Sequence, residues 1–145
     1  MRVYTIGFTK KSAQRFFELL QESGAKRVVD VRLHNVSQLA GFAKKDDLAY
    51  FLDKICGMEY VHMPILAPTE DILVEYRKRR GGWERYQSRF LKLLEQRRIE
   101  EVVPREVIAD SCLLCAEDEP DRCHRRLVAE YLQRHWGDVE IHHLV

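Results

Sequence analysis

Two spacings of apolar residues alternate along this chain. Arg2 to Gly7 (R-V-Y-T-I-G) is β-branched and aromatic and ends at glycine, which predicts a first strand. Ser12 then caps a predicted helix with apolar positions Ala13, Phe16, Phe17, Leu19 and Leu20, stopped by Gly24. Lys26 to Arg32 (K-R-V-V-D-V-R) reads as a second strand, apolar except for Asp30, and Leu33 to Lys45 as a loop. Asp46 or Asp47 opens another helix, through Leu48, Phe51, Leu52 and Ile55 to Gly57. Glu59 to Met63 is a third strand, ended by Pro64.

The second half repeats the alternation. Thr69 with Glu70 and Asp71 starts a helix that runs to Arg80 and breaks at Gly81-Gly82, and a longer one follows from Trp83 to about Glu101. Beyond Pro104, a fourth strand is expected over about Val107 to Ala116, with an interruption near Asp110-Ser111. A polar elbow, Glu117 to Arg122, leads to a helix that buries Leu127, Val128, Tyr131 and Leu132 and ends at Gly137. Val139 to Leu144 supplies a fifth strand. Strands alternating with helices predict one α/β domain, a three-layer sandwich with a mainly parallel, roughly five-stranded sheet and helices on both faces. Ligands in such sheets sit outside the carboxyl ends of the strands, which gathers Gly7 to Thr9, Asp30 to Arg32, His62 to Pro64 and Ala116 to Arg126 on one rim.

Composition narrows this picture without redirecting it. The 145 residues are 46% hydrophobic and 32% charged with a net charge of +1, so any nucleic-acid binding must rest on a local patch. No apolar run reaches the roughly 18 residues that span a bilayer, and no secretory leader pattern opens the chain. Three of the four cysteines crowd into positions 112 to 123, unlike a secreted disulfide framework. The expectation is a cytoplasmic protein with reduced thiols and no membrane partner.

The chemistry concentrates at the elbow. Neither a phosphate-loop nor a dinucleotide fingerprint occurs, and neither does H-E-x-x-H or G-x-S-x-G. Cys112-x-x-Cys115 with Cys123-His124 invites a zinc reading. Residues three apart on a strand point to opposite faces, however, so Cys112 reads instead as a small buried hydrophobe. Cys123 falls at a helix start beside His124, Arg125 and Arg126, a setting that lowers a thiol pKa and also suits a phosphate or carboxylate. Cys115 can alternatively face Cys123 across the elbow in a reversible disulfide.

Asp30 and Arg32 share a strand face and are either a structural ion pair or parts of the rim chemistry. Glu117 adds a second carboxylate. His62, Tyr4 and Ser37 are lesser candidates, His62 reading mainly as a satisfied core histidine. Arg77, Lys78, Arg79 and Arg80, followed by Trp83, Arg85 and Tyr86, combine charge and aromatics as nucleic-acid surfaces do, or form a solvated face.

Several stretches together resemble a family known as domain of unknown function 488: Y-T-I-G at Tyr4 to Gly7, V-D-V-R at Val29 to Arg32, G-F-A-K-K-D-D-L at Gly41 to Leu48, E-Y-V-H at Glu59 to His62, L-A-P-T at Leu66 to Thr69, and L-L-C-A-E with P-x-x-C-H-R at Leu113 to Arg125. The resemblance implies a small α/β domain with a rim site from Asp30, Arg32, Glu117, Cys123, His124 and Arg125. The chain departs from the family pattern after Gly7, where F-T replaces the commoner H-S, and after Arg32, where a common proline is missing. Phe8 cannot take over the acid–base chemistry of that histidine.

Three functions are open at this level. The first is an enzyme for a phosphorylated or nucleotide-like substrate, with Asp30, Glu117, Cys123 and His124 as catalytic groups and Arg32, Arg125 and Arg126 binding the anion. The second is a non-enzymatic nucleic-acid module using Arg77, Lys78, Arg79, Arg80 and Trp83. The third is metal-dependent phosphodiester cleavage through Asp30, Glu117 and His124. No cofactor is expected, and no metal ligands are assigned.

Overall fold

The runs that read as extended pair with one another, and the strand leading into the elbow lies at the centre. The computed structural model describes residues 1–36, 41–117 and 119–145. Its strands are β1 (Arg2–Gly7), β2 (Arg27–Asp30), β3 (Glu59–His62), β4 (Ser111–Cys115) and β5 (Glu140–Leu144), in the order β3-β2-β4-β1-β5. Every pairing is parallel, as expected of strands joined through helices.

Local chemistry explains most helix ends. In α1 (Ala13–Ser23) the Ser12 hydroxyl accepts from the Arg15 N–H at 3.1 Å, and Gly24 closes the helix at φ 75°. Helix α2 (Lys45–Phe51) continues through a wider turn at Leu52–Cys56. Helices α3 (Glu70–Arg77) and α4 (Gly82–Arg97) form a hairpin about Gly81 and Gly82, both at positive φ.

Two expectations are corrected here. The helix expected from Trp83 to about Glu101 breaks at Arg98, which has φ 50°, and resumes as α5 (Ile99–Val102). The fourth strand is shorter than expected, because Arg105–Ile108 forms a helical turn, α6, that buries Ile108. Asp110, at φ 58°, then redirects the chain into β4. The β-branched Val107-Ile108 pair looks extended in sequence, but packing sets its conformation. The last helix, α7, spans His124–Trp136.

Strand alternation divides the core in two. Tyr4, Ile6, Val28, Cys112 and Leu114 face α1 and α2 and join Phe8, Phe16, Leu20, Leu48 and Leu52. Val3, Val29, Leu113 and Cys115 face the other way, toward Phe90, Leu94, Ile99, Leu127 and Val128. Cys112 is therefore the buried hydrophobe expected of it, its thiol pKa pushed up by burial. After β2 the chain turns outward to β3, and after β4 it turns the opposite way, toward β1 and β5. The crevice outside the carboxyl ends of β2 and β4 is thus the topological switch point of the sheet. Among the described residues no helix is long and apolar enough to cross a membrane.

Candidate functional site

The elbow lies directly on the end of β1. A Cβ built on Gly7 would stand 1.5 Å from the Glu117 carbonyl oxygen, so only glycine admits this path. The Thr9 N–H donates to the Ala116 carbonyl at 3.0 Å and holds the elbow from the same side. Arg125 braces it from beneath. Its fully buried guanidinium donates from Nε to Thr5 Oγ1 at 3.2 Å, and from Nη1 to Cys115 Sγ at 3.3 Å and to the Glu117 carbonyl. A group expected to meet an anion in the open therefore supports the strand end and its sulfur.

Cys123 caps α7 in extended conformation, and its Sγ joins that of Cys115 in a disulfide whose Cα atoms are 7.4 Å apart. The next residue, His124, has a ring nitrogen, Nε2, 2.7 Å from the Val31 carbonyl, and its ring meets Phe90 edge-on at 5.5 Å. Burial lowers the His124 pKa to about 4 although the Val31 carbonyl pulls it upward, so the ring is neutral at pH 7. A neutral ring that donates Nε2–H to Val31 keeps the lone pair on Nδ1. The ligating atoms of Cys115, Cys123 and His124 all lie within 4.8 Å of one another. This trio forms although Cys112, part of the zinc pattern in the sequence, points to the other face.

Asp30 and Arg32 form a closed clamp. Asp30 is fully buried and accepts from Arg32 Nε at 2.9 Å and Nη2 at 2.8 Å, from the Arg32 N–H at 3.1 Å, and from the Tyr60 hydroxyl at 2.5 Å. Arg32 also donates to the Ala43 carbonyl at 2.7 Å and lies over the Phe8 ring at 5.2 Å. Burial and the neighbouring Asp30 both raise the Tyr60 pKa, so its hydroxyl stays protonated as a donor. By alternation Asp30 shares the face of Val28, whereas Cys115 belongs to the opposite face.

A cavity of about 820 Å³ opens at the switch point. One wall comes from the α3–α4 hairpin, where Trp83 and Tyr86 stack at 5.2 Å and Tyr76 lies 4.7 Å from Tyr86, with Arg77 and Arg79 alongside. Arg32, Glu117, Arg122, Cys115, Cys123 and His124 line the other side. Glu117 is exposed there. Arg89 pairs with Asp71 at 2.7 Å and, together with Arg85, with Glu75, which fastens α4 to α3. These contacts hold both carboxyl pKa values below their ordinary range, Thr69 acting first at Asp71 and Arg85 first at Glu75.

The remaining candidates lie apart from this cavity. Arg126 pairs with Glu130 at 3.7 Å, and Lys78 and Arg80 line a neighbouring groove with Arg85 and Arg89. His62 is satisfied by the Arg32 carbonyl at 2.7 Å, and Tyr4 is in the core against His142. Ser37 lies outside the described residues. The basic–aromatic run and the Cys-His-Arg cluster are distant in sequence, but Arg77, Arg79, Trp83 and Tyr86 stand across one cavity from Cys123 and His124. The three-residue spacing of Trp83 and Tyr86, which puts them on one helix face, was the available signal.

The chain belongs to the family of the domain of unknown function DUF488, whose model matches residues 12–132. No curated protein and no solved structure matches it.

Proposed function

We propose that this protein is an enzyme acting on a phosphorylated, nucleotide-like substrate in the cavity at the β2/β4 switch point. The observation that carries this reading is the pairing of an aromatic wall, Tyr76, Trp83 and Tyr86, with the guanidinium side chains Arg77, Arg79 and Arg122. Every nucleobase has a face to stack on such a wall, and guanidinium groups suit phosphate oxygens. Glu117, exposed on the cavity, serves as the acid–base group, and Cys123, released from Cys115 by reduction, forms the reacting end with His124. Asp30 is closed on Arg32 and serves the sheet, whereas Arg125 holds Cys115 and so positions the reacting end.

Calorimetric titration with nucleoside mono- and diphosphates, against inorganic phosphate, tests this reading. Trp83→Ala should weaken nucleotide binding by about 1–3 kcal/mol, the usual loss of one stacking partner, and leave phosphate binding unchanged. Absence of nucleotide binding, or equal affinity in the variant, removes the proposal.

One further observation favours a second reading. Lys78 and Arg80 extend the basic surface beyond the cavity, in a groove where Arg85 and Arg89 are paired with Glu75 and Asp71. A nucleic-acid module would bind oligonucleotides far more tightly than mononucleotides, with affinity falling steeply as salt rises.

A further inference from the structure

The cluster at the head of the cavity has the makings of a metal centre, whichever ligand the cavity takes. We propose that Cys115, Cys123 and His124 hold a zinc-class divalent ion and leave its fourth position open to the cavity. The three donor atoms already lie within 4.8 Å of one another. Two thiolates and an imidazole are a ligand set that zinc uses in catalytic sites, where the remaining position takes water or substrate.

Backbone spacing supports an ion between the sulfurs. The Cα atoms of Cys115 and Cys123 stand 7.4 Å apart, whereas those of a relaxed disulfide are usually about 4.4–6.8 Å apart. A tetrahedral ion with zinc–sulfur bonds of about 2.3 Å keeps its two sulfurs about 3.7 Å apart and so suits the wider spacing.

The surroundings are those of a ligand shell. Metal-bound histidines usually donate their other ring N–H to a carbonyl or carboxylate, and His124 Nε2 meets the Val31 carbonyl at 2.7 Å. Arg125 Nη1 donates to Cys115 Sγ at 3.3 Å, a contact that steadies a ligating thiolate. Two thiolates balance a divalent ion, so the Arg125 charge leaves the centre net positive and its open position suited to an anion. All three ligands line the cavity, which supplies the entry path.

The disulfide in the structure is then the metal-free, oxidised form of the same pair. A small-molecule disulfide accepts two electrons from the thiolates and, with two protons from solvent, leaves as two thiols. The Cys115–Cys123 bond closes and the ion departs.

The test uses the full chain, reduced, stripped with a chelator and titrated with Co²⁺ and then Zn²⁺ alone. One Co²⁺ per chain should bind with an intense thiolate-to-cobalt charge-transfer band, which Zn²⁺ bleaches and a small-molecule disulfide abolishes. Cys123→Ser and His124→Asn should each weaken binding at least tenfold, and Cys112→Ala, on the other face of β4, should leave it unchanged. Circular dichroism of each variant separates lost ligation from lost folding. No charge-transfer band in the reduced wild type overturns the proposal, as does full-affinity binding by folded Cys123→Ser. The readout uses no nucleotide, so its failure is distinguishable from failure of the substrate reading.

Discussion

Cys112 and Cys115 are three residues apart on one strand and lie in two different environments. Cys112 faces α1 and α2 among Phe16, Leu20 and Leu114, where burial keeps its thiol protonated. Cys115 faces α7, touches an arginine and shares a cluster with Cys123 and His124. The two sides of the sheet differ in the same way. The α1/α2 side is an aromatic and aliphatic core whose buried charge at the strand end, Asp30, is closed on itself by Arg32. The α7 side brings polar donors to the strand ends and leaves a cavity above them. One side maintains the sheet, and the other exposes chemistry at its edge.

The comparison can be tested from each side. The largest effect is expected from Asp30→Asn, which keeps the shape of the side chain but leaves the buried Arg32 charge uncompensated. Breaking a buried pair in this way costs about 3–5 kcal/mol, to be read by urea denaturation. Nucleotide affinity of the folded protein should change little. A folded variant of normal stability that loses affinity would move Asp30 into the working site.

Gly7→Ala probes the other side. Its methyl group would displace the elbow carbonyl and the Arg125 guanidinium. A stability loss of about 1–3 kcal/mol is expected from such overpacking. Unlike Asp30→Asn, this variant should also weaken ligand and metal binding while still folded, because the elbow carries Glu117 and leads into Cys123. Wild-type affinity in a folded variant would show that the elbow does not shape the cavity.

The smallest effect concerns the cavity wall. Glu75 and Asp71 have folded pKa values below the ordinary 4.5 and 3.8. Their contribution is therefore complete above those ordinary values and is lost as pH falls through the lowered ones. Trp83 fluorescence should shift in that acid range, with the sheet intact by far-ultraviolet circular dichroism. Glu75→Gln should show the same shift already at neutral pH, and a pH-independent signal in both proteins would detach the wall from these ion pairs.

Much of this division was legible in the sequence. Two-residue alternation along Cys112-Leu113-Leu114-Cys115 separates the two thiols before any fold is known. Parallel-sheet logic likewise placed Asp30, Glu117 and Cys123 at one end of the sheet. It did not reveal on which side of the sheet each one acts. Asp30 and Arg32 pair with each other, and Tyr60, from the neighbouring strand, completes the shell of Asp30. Arg125 turns inward because Thr5, Cys115 and the elbow carbonyl offer it acceptors. Such partners come from distant segments and leave no local pattern. The same holds for the α3–α4 hairpin, whose aromatic face is readable in the sequence but whose docking across the strand ends is not.

The bonds that position the cluster also bear on when it can form. His124 reaches Val31 across 93 residues, and Arg125 reaches Thr5 across 120. Closing loops of this length is entropically costly and slow. An emerging chain therefore cannot complete the cluster until α7 has been synthesised and has docked on strands made much earlier. Cys115 and Cys123, at a sequence separation of 8, can meet early, but the shell that positions them, Val31 at His124 and Thr5 at Arg125, is complete only once α7 has docked.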